Sequence, residues 1–177
     1  VFESAIQSKE IQYSIDTNIQ HKYAVCDKTK LQEIYLNIVS NAIKYTPNGQ
    51  AIHVNITETA SDDKKAWYVF ICEDTGIGMK QEYLPHIFDE FSREHTATEN
   101  KVVGTGLGLS IVKSFVELMD GKIYVESEQG KGTKFTVEIP LEIASEEDVY
   151  KKKESEQSVI SDKSIGKRIL LAEDIQM

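Results

Sequence analysis

The sequence of 177 residues is short of cysteine, of basic charge and of long apolar runs, and each shortage closes off a class of protein. Its two cysteines, Cys26 and Cys72, sit in or beside apolar, strand-like runs without metal-ligand spacing. They read as buried, reduced thiols of a cytosolic protein, with no disulfide framework and no thiolate metal centre. Lys and Arg number 20 against 29 Asp and Glu, a net charge of −9. That balance argues against nonspecific nucleic-acid binding, so a polyanionic ligand must be held by local features instead of a basic surface. No run of eighteen apolar residues, no signal peptide and no initiator methionine is present. The chain opens mid-pattern at Val1 and reads as a piece of something longer, with no membrane contact of its own. A chain of this length is about one domain with some surplus, able to bury roughly 70% of its extended surface without staples.

What is present is organised around 31–49, LQEIYLNIVSNAIKYTPNG. Leu31, Ile34, Tyr35, Ile38, Val39, Ala42 and Ile43 recur at the spacing of an amphipathic helix and lay an apolar stripe against a sheet. Asn37, Asn41 and Lys44 fall on the other side. Asparagine competes for backbone partners inside a helix, so two of them one turn apart fit either a solvated face or a ligand-facing one. Asp27 supplies an N-cap, and Thr46-Pro47-Asn48-Gly49 ends the helix.

Around it, 1–8 reads as a helix end, and Ile11, Tyr13 and Ile15 alternate as in a strand, as do Ile52, Val54 and Ile56. Tyr23 to Cys26 reads as a short strand. Residues 62–65 form a polar hairpin turn, and Ala66 to Cys72 is apolar on both faces, a central strand. A short helical piece lies around 81–91, and 92–103 is polar with little hydrophobic patterning. Gly104-Thr105-Gly106-Leu107-Gly108 opens a helix over 109–119, closed by Asp120-Gly121. Strands at 122–127 and 133–140 meet through the Gly130-Lys131-Gly132 turn.

Three elements carry chemistry. Asp74 ends the central strand and is followed by Gly76 and Gly78. There a flat ligand can approach backbone closely and donate to the acid, although a strand-end turn aspartate is an equally ordinary reading. Gly104, Gly106 and Gly108 feed a helix whose bare amides suit phosphate. The loop is no Walker motif, since no Gly-Lys-Ser/Thr follows, and no dinucleotide fingerprint, since no strand precedes it. Asparagine oxygens suit a hydrated Mg²⁺, and Lys44 suits a phosphate. Together they outline an adenine end, a phosphate end and a metal between.

These segments resemble the boxes of the catalytic ATP-binding domain of sensor histidine kinases, in the GHKL superfamily with type II topoisomerases, mismatch-repair ATPases and the ninety-kilodalton heat-shock chaperone. Residues 37–45 (NIVSNAIKY) resemble the N box, 74–78 (DTGIG) the first glycine box, 88–91 (FDEF) the F box and 104–109 (GTGLGL) the second glycine box. Residues 130–133 (GKGT) resemble a last, smaller box. Four boxes in order and spacing, over roughly Val1 to Pro140, make chance a poor explanation.

The resemblance implies an α+β fold, a two-layer α/β sandwich with a mixed sheet of about five strands and three helices on one face. It implies ATP between helices and lid. Asp74 would accept from the adenine amino group with Thr133 as a second polar partner. Asn41 would hold Mg²⁺ with Asn37 assisting, Lys44 would contact phosphate and Tyr45 would pack on the base. Gly76 and Gly78 would admit the ligand, and Arg93 would reach phosphate from the lid. Gly104, Gly106 and Leu107 would offer amides. In the superfamily's ATPases a glutamate one turn before the metal asparagine activates water. Asn37 stands there and cannot act as a base, and Glu33 is a turn too early. The resemblance therefore implies a kinase whose phosphoryl goes to a histidine on dimerisation helices outside this chain. None of His21, His53, His86 or His95 has the acceptor's setting. A regulatory nucleotide-binding module without phosphotransfer, or less readily a GHKL ATPase, are the alternatives.

The expected organisation is a catalytic domain over 1–141, a charged linker over 142–166 and a truncated receiver strand over 167–177. Lys167 to Asp174 (KRILLAED) resembles the first strand of a response-regulator receiver, whose acidic pair, here Glu173 and Asp174, holds Mg²⁺. A lone strand of this kind is expected to be disordered or to borrow another sheet's edge.

Overall fold

The computed structural model describes residues 2–62, 64–93, 105–145 and 168–171, with backbone alone at Ala60, Ser61 and Arg168–Leu171. Within these residues the order is α1 (Glu3–Ser8), β1 (Gln12–Asn18), β2 (Tyr23–Cys26), α2 (Lys28–Tyr45), β3 (Ala51–Ser61), β4 (Lys65–Asp74), a 3₁₀ turn (Leu84–His86), α3 (Gly108–Leu118), β5 (Lys122–Glu128), β6 (Gly132–Ile143) and β7 (Arg168–Leu171). Among them, no helix is long and apolar enough to cross a membrane.

The strands form one mixed sheet in the order β1-β3-β4-β6-β2-β7, with β5 also paired to β6. β1 and β3 are parallel; every other pair is antiparallel. β4 takes one edge of β6 along its length, so β5 and β2 share the other edge, β5 at Gly132–Glu138 and β2 at Glu142 and Ile143. The sandwich is as expected, and the sheet exceeds about five strands because short β2 and β7 extend that edge. β7 lies antiparallel on β2, Leu171 opposite Tyr23 and Arg168 opposite Cys26. The free backbone groups of a four-residue edge strand are thereby paired.

α2 starts where the sequence places its cap: Asp27 Oδ1 accepts from the Thr29 and Lys30 amides, both at 3.1 Å. Such a cap contributes about 1 kcal/mol. Leu31, Ile34, Ile38, Val39, Ala42 and Ile43 are buried, with Tyr35 packed beside them. They meet Ile52, Val54 and Ile56 of β3, Phe70 and Cys72 of β4, Phe135, Val137 and Ile139 of β6, and Val112 and Val116 of α3. Each fully buried aliphatic side chain contributes roughly 1.5–3 kcal/mol. Both cysteines are thiols outside any disulfide and buried in this core, and burial pushes the Cys72 thiol up to about 12.

The far end of α2 leaves its last carbonyls to be partnered. Thr46 N returns to Ala42 O at 3.0 Å, and Ile77 N reaches Tyr45 O at 3.1 Å. The Lys9 ammonium, between α1 and β1, donates to Ile43 O (2.6 Å), Lys44 O (3.2 Å) and Thr46 O (2.8 Å). The helical piece expected over 81–91 reduces to the 3₁₀ turn, with Pro85 near its start. α3 ends where Asp120 enters the left-handed region (φ 55°) and the Gly121 amide returns to Val116 O at 2.9 Å.

Candidate functional site

A cavity of about 250 Å³ opens between α2, the end of β4, the start of β6 and the N-terminus of α3. Its floor is Asp74, which the β4 pattern carries onto the helix-facing side of the sheet alongside Phe70 and Cys72. Asp74 is 6% exposed and has no cation beside it among its interactions; burial pushes its carboxyl up to about 6. Amides from Gly76, at 2.8 Å to Oδ1, and from Thr133 pull the other way, and Glu73 adds a smaller push upward. A buried acid held by two amides and facing a cavity is placed to accept from a ligand donor.

Two glycines let backbone close around it. Gly78 has φ +61°, and a Cβ there would meet the Glu128 carbonyl; Gly132 has φ +122°, and a Cβ there would meet the Asp74 carbonyl. The β5–β6 hairpin thus lies directly on the 74–79 loop, fastened by Gly130 N to Ile77 O at 2.7 Å.

The wall is α2. Asn37, Asn41, Lys44 and Tyr45 all line the cavity, so this polar side of the helix faces it and not the bulk surface. Asn37 and Tyr45 are eight residues apart, about 12 Å along the axis. At the Tyr45 end, the position of a Cβ on Gly76 is 2.6 Å from both Asp74 Oδ1 and Tyr45 O. At the Asn37 end, the Cβ position of Gly108 is 2.6 Å from Asn37 Oδ1, so the start of α3 abuts the asparagines. The Lys44 ammonium lies 5.1 Å from the Tyr45 ring centroid. Its pKa is lowered, by burial first and by the Arg93 charge second. Arg93 also lines the cavity, so two cations converge in a chain of net charge −9.

Thr133, Gly78 and Gly106 line the cavity too, whereas Gly76 and Leu107 are not among its lining residues. Gly104 and His95, and residues 94–103 of the stretch 92–103 expected as a lid, lie outside the described residues. The other histidines are engaged away from the cavity: His21 with Glu58 (2.7 Å), His53 with Ser14 (2.9 Å) and His86 with Asp89 (2.9 Å). Glu33 does not line it either, since its carboxylate and carbonyl oxygens accept from the Asn37 amide at 3.4 and 2.8 Å. Among the described lining residues Asp74 is the one carboxylate.

Sequence reading missed the apolar lining: Ala42, Ile77, Met79, Tyr83, Ile87, Leu109 and Phe135. Ile77 and Met79, flanking Gly78 in a loop with no periodicity to bury them, were the available signal. Tyr83 and Ile87 carried none, because their place depends on how 79–91 folds back.

A cavity with an acid at its base, apolar side chains beside it, amides and cations along its wall and a helix N-terminus at its far end has the chemistry that suits a nucleotide. Comparison with known proteins gives the same class. The family model of histidine kinase-, DNA gyrase B- and HSP90-like ATPases matches residues 26–143, two thirds of the chain. The chain belongs to that family, for which ATP is the nucleotide.

It is 32% identical over 180 residues to autoinducer 2 sensor kinase/phosphatase LuxQ of Vibrio parahaemolyticus, which covers 98% of this chain and 20% of that one. It is 36% identical over 126 residues to sensor histidine kinase WalK of Bacillus subtilis, covering 71% of this chain and 20% of that one. Hybrid signal transduction histidine kinase D of Dictyostelium discoideum is 34% identical over 158 residues, 89% of this chain and 10% of that one. The chain therefore spans between a tenth and a fifth of these relatives' lengths. Among solved structures, the catalytic domain of histidine kinase ThkA superposes with a TM-score of 0.63 at 28% identity, covering 78% of this chain and 84% of that one. Full-length ShkA in complex with AMPPNP also gives 0.63 at 28% identity, covering 81% and 28%.

Proposed function

We propose that this chain is the catalytic module of a two-component histidine kinase that binds Mg-ATP and hands its terminal phosphoryl to a histidine on dimerisation helices of the same protein. The observation that carries the reading is the pairing of the buried Asp74 at one end of the cavity with the Asn37–Asn41–Lys44 face along its wall. Asp74 accepts from the adenine amino group beside Thr133, Tyr45 packs on the base, and Lys44, Arg93, Gly106 and Leu107 serve the phosphates, with Gly104 beyond the described residues.

Two neutral amide oxygens in the cavity fit Mg²⁺, which keeps waters and takes most of its remaining oxygens from the phosphates. Asn41 and Asn37 would hold it, and it would neutralise charge on the triphosphate. The lining supports transfer over hydrolysis: at the position a turn before Asn41 stands an amide already donating to Glu33. No lining carboxylate stands there to take a proton from water.

The test is calorimetry with Mg-ATP on this chain, followed by mixing with the parent's dimerisation helices and radiolabelled ATP. We expect ATP binding, label on the added helices and negligible phosphate release by the chain alone. Binding without label would favour a regulatory module, and Asn41-dependent phosphate release would favour an ATPase.

The relative named as a hybrid kinase matches over most of this chain. That supports reading Lys167 onward as the start of a receiver, with 142–166 as linker and the catalytic domain before it. The parent is then a hybrid kinase with its catalytic machinery in the cytoplasm. Strands bearing a phosphorylatable aspartate within about a hundred residues downstream would be expected, and their absence from the parent gene refutes the reading.

A further inference from the structure

Asp74, Thr133 and Ser127 stand in register across three adjacent strands, β4, β6 and β5. Asp74 and Thr133 line the cavity; Ser127 is behind them and does not. Its hydroxyl is nonetheless fully committed. Ser127 Oγ accepts from Met79 N at 2.9 Å, and its single proton has two acceptors at the same distance, Gly132 O and Thr133 Oγ1. The Ser127 carbonyl accepts from Gln81 Nε2 at 2.8 Å, which fixes the strand end as well.

Proton counting leaves two arrangements. When Ser127 donates to Gly132 O, Thr133 turns its own proton onto Ser127 and shows the cavity lone pairs only. When Ser127 donates to Thr133, the Thr133 proton is released toward the cavity. The two differ by rotation of two hydroxyl hydrogens, with no heavy atom moved.

Resting on the ATP reading above, we propose that Ser127 is a positioning residue for base recognition, which by donating to Thr133 makes that hydroxyl a donor to the ring nitrogen next to the adenine amino group. An ionised Asp74 is acceptor-only and takes the amino group. The neighbouring ring nitrogen carries a lone pair and needs a donor, directly or through one water. Guanine presents the reversed pattern, an acceptor toward Asp74 and a donor beside it. The Ser127–Thr133 pair therefore adds to discrimination that Asp74 begins, and Met79 N, held by the same oxygen, keeps the apolar floor under the base.

The experiment measures dissociation constants for ATP and for 1-deaza-ATP, in which that ring nitrogen is replaced by C–H. The proteins are the parent chain, Ser127→Ala, the near-isosteric Ser127→Cys, Ser127→Thr and Thr133→Val. One net hydrogen bond corresponds to a preference for ATP of about 3- to 10-fold in the parent. The ratio should fall toward unity in Thr133→Val, shrink in Ser127→Ala and Ser127→Cys, where no strong donor is left to fix the Thr133 hydroxyl with its proton toward the base, and persist in Ser127→Thr, which keeps the hydroxyl. A Ser127 that only supports the fold would weaken both nucleotides equally and leave the ratio at the parent value, which overturns the proposal. A parent that binds both nucleotides alike overturns it too while leaving the ATP reading standing. A parent that binds neither removes both. If Ser127→Ala does not fold, the ratio in Ser127→Cys decides.

Discussion

Asp74 is held at a cost to the fold, and that cost can be measured. Its carboxyl lies near 6 instead of 3.8 because burial disfavours the charge more than the amides of Gly76 and Thr133 favour it. That rise corresponds to about 3 kcal/mol. Since the folded-state pKa is the higher one, its contribution to stability is fully present below about pH 4 and lost progressively as pH rises to about 6, beyond which the deficit is constant. Asp74→Asn removes the charge and keeps a carbonyl oxygen for the Gly76 amide, now 2.8 Å away. Urea denaturation of parent and variant across this range should show the variant ahead by about 1–3 kcal/mol at about pH 7.5 and level with or behind the parent at about pH 4. The same substitution should weaken ATP binding by about 2–4 kcal/mol, since the adenine amino group then meets a donor where it needs an acceptor. A stability difference independent of pH would refute the buried-charge argument; a variant binding ATP like the parent would refute the assignment of the base.

Other outcomes follow from the same geometry. ATP affinity measured by calorimetry should hold above the Asp74 pKa and fall as pH drops through about 6, by up to tenfold per unit, because the protonated acid is a weaker acceptor for the base and presents a hydroxyl in place of one of its acceptor oxygens. Asn41→Ala should abolish the difference between titrations with and without Mg²⁺ while sparing thermal stability to within about 1 kcal/mol, and an intact Mg²⁺ dependence would exclude Asn41 as its ligand. Gly132→Ala, with φ +122° and the Asp74 carbonyl where the Cβ must go, should cost about 2–4 kcal/mol or prevent folding, as read by thermal melting. Lys9→Met should cost about 1–3 kcal/mol through the orphaned carbonyls of Ile43, Lys44 and Thr46, with Lys9→Arg recovering part of it.

The fold was legible where one residue type could satisfy local and global demands together. The α2 stripe, the Asp27 cap and the Pro47 stop agree with each other, and the helix forms as they require. Central β4 declared itself through residues apolar on both faces. The 3₁₀ turn was harder, because Leu84, Ile87 and Phe88 have helical spacing while Pro85 and the fold of the chain onto β5 limit it to a single turn. In the site, polar and glycine residues were readable because their chemistry is unusual in their settings: asparagines in mid-helix, a carboxylate ending a buried strand. Tyr83, Ile87 and Phe135 look like any core residue in sequence, and their role arises from which elements meet. Ser127 and Lys9 were invisible for a related reason, since each acts on backbone groups remote in sequence that no side-chain pattern records.

Lys9 ties two places together that the chain order keeps apart. Its ammonium grips the last turn of α2 while its own carbonyl accepts from the Gly49 amide at 2.9 Å, so α1 and the nucleotide wall share one junction. Lys44 and Tyr45 stand on that turn, and Ile77 is fastened to it through the Tyr45 carbonyl. Loss of the Lys9 side chain therefore loosens the junction with α1 and the turn that carries Lys44 and Tyr45 together, because one ammonium completes both.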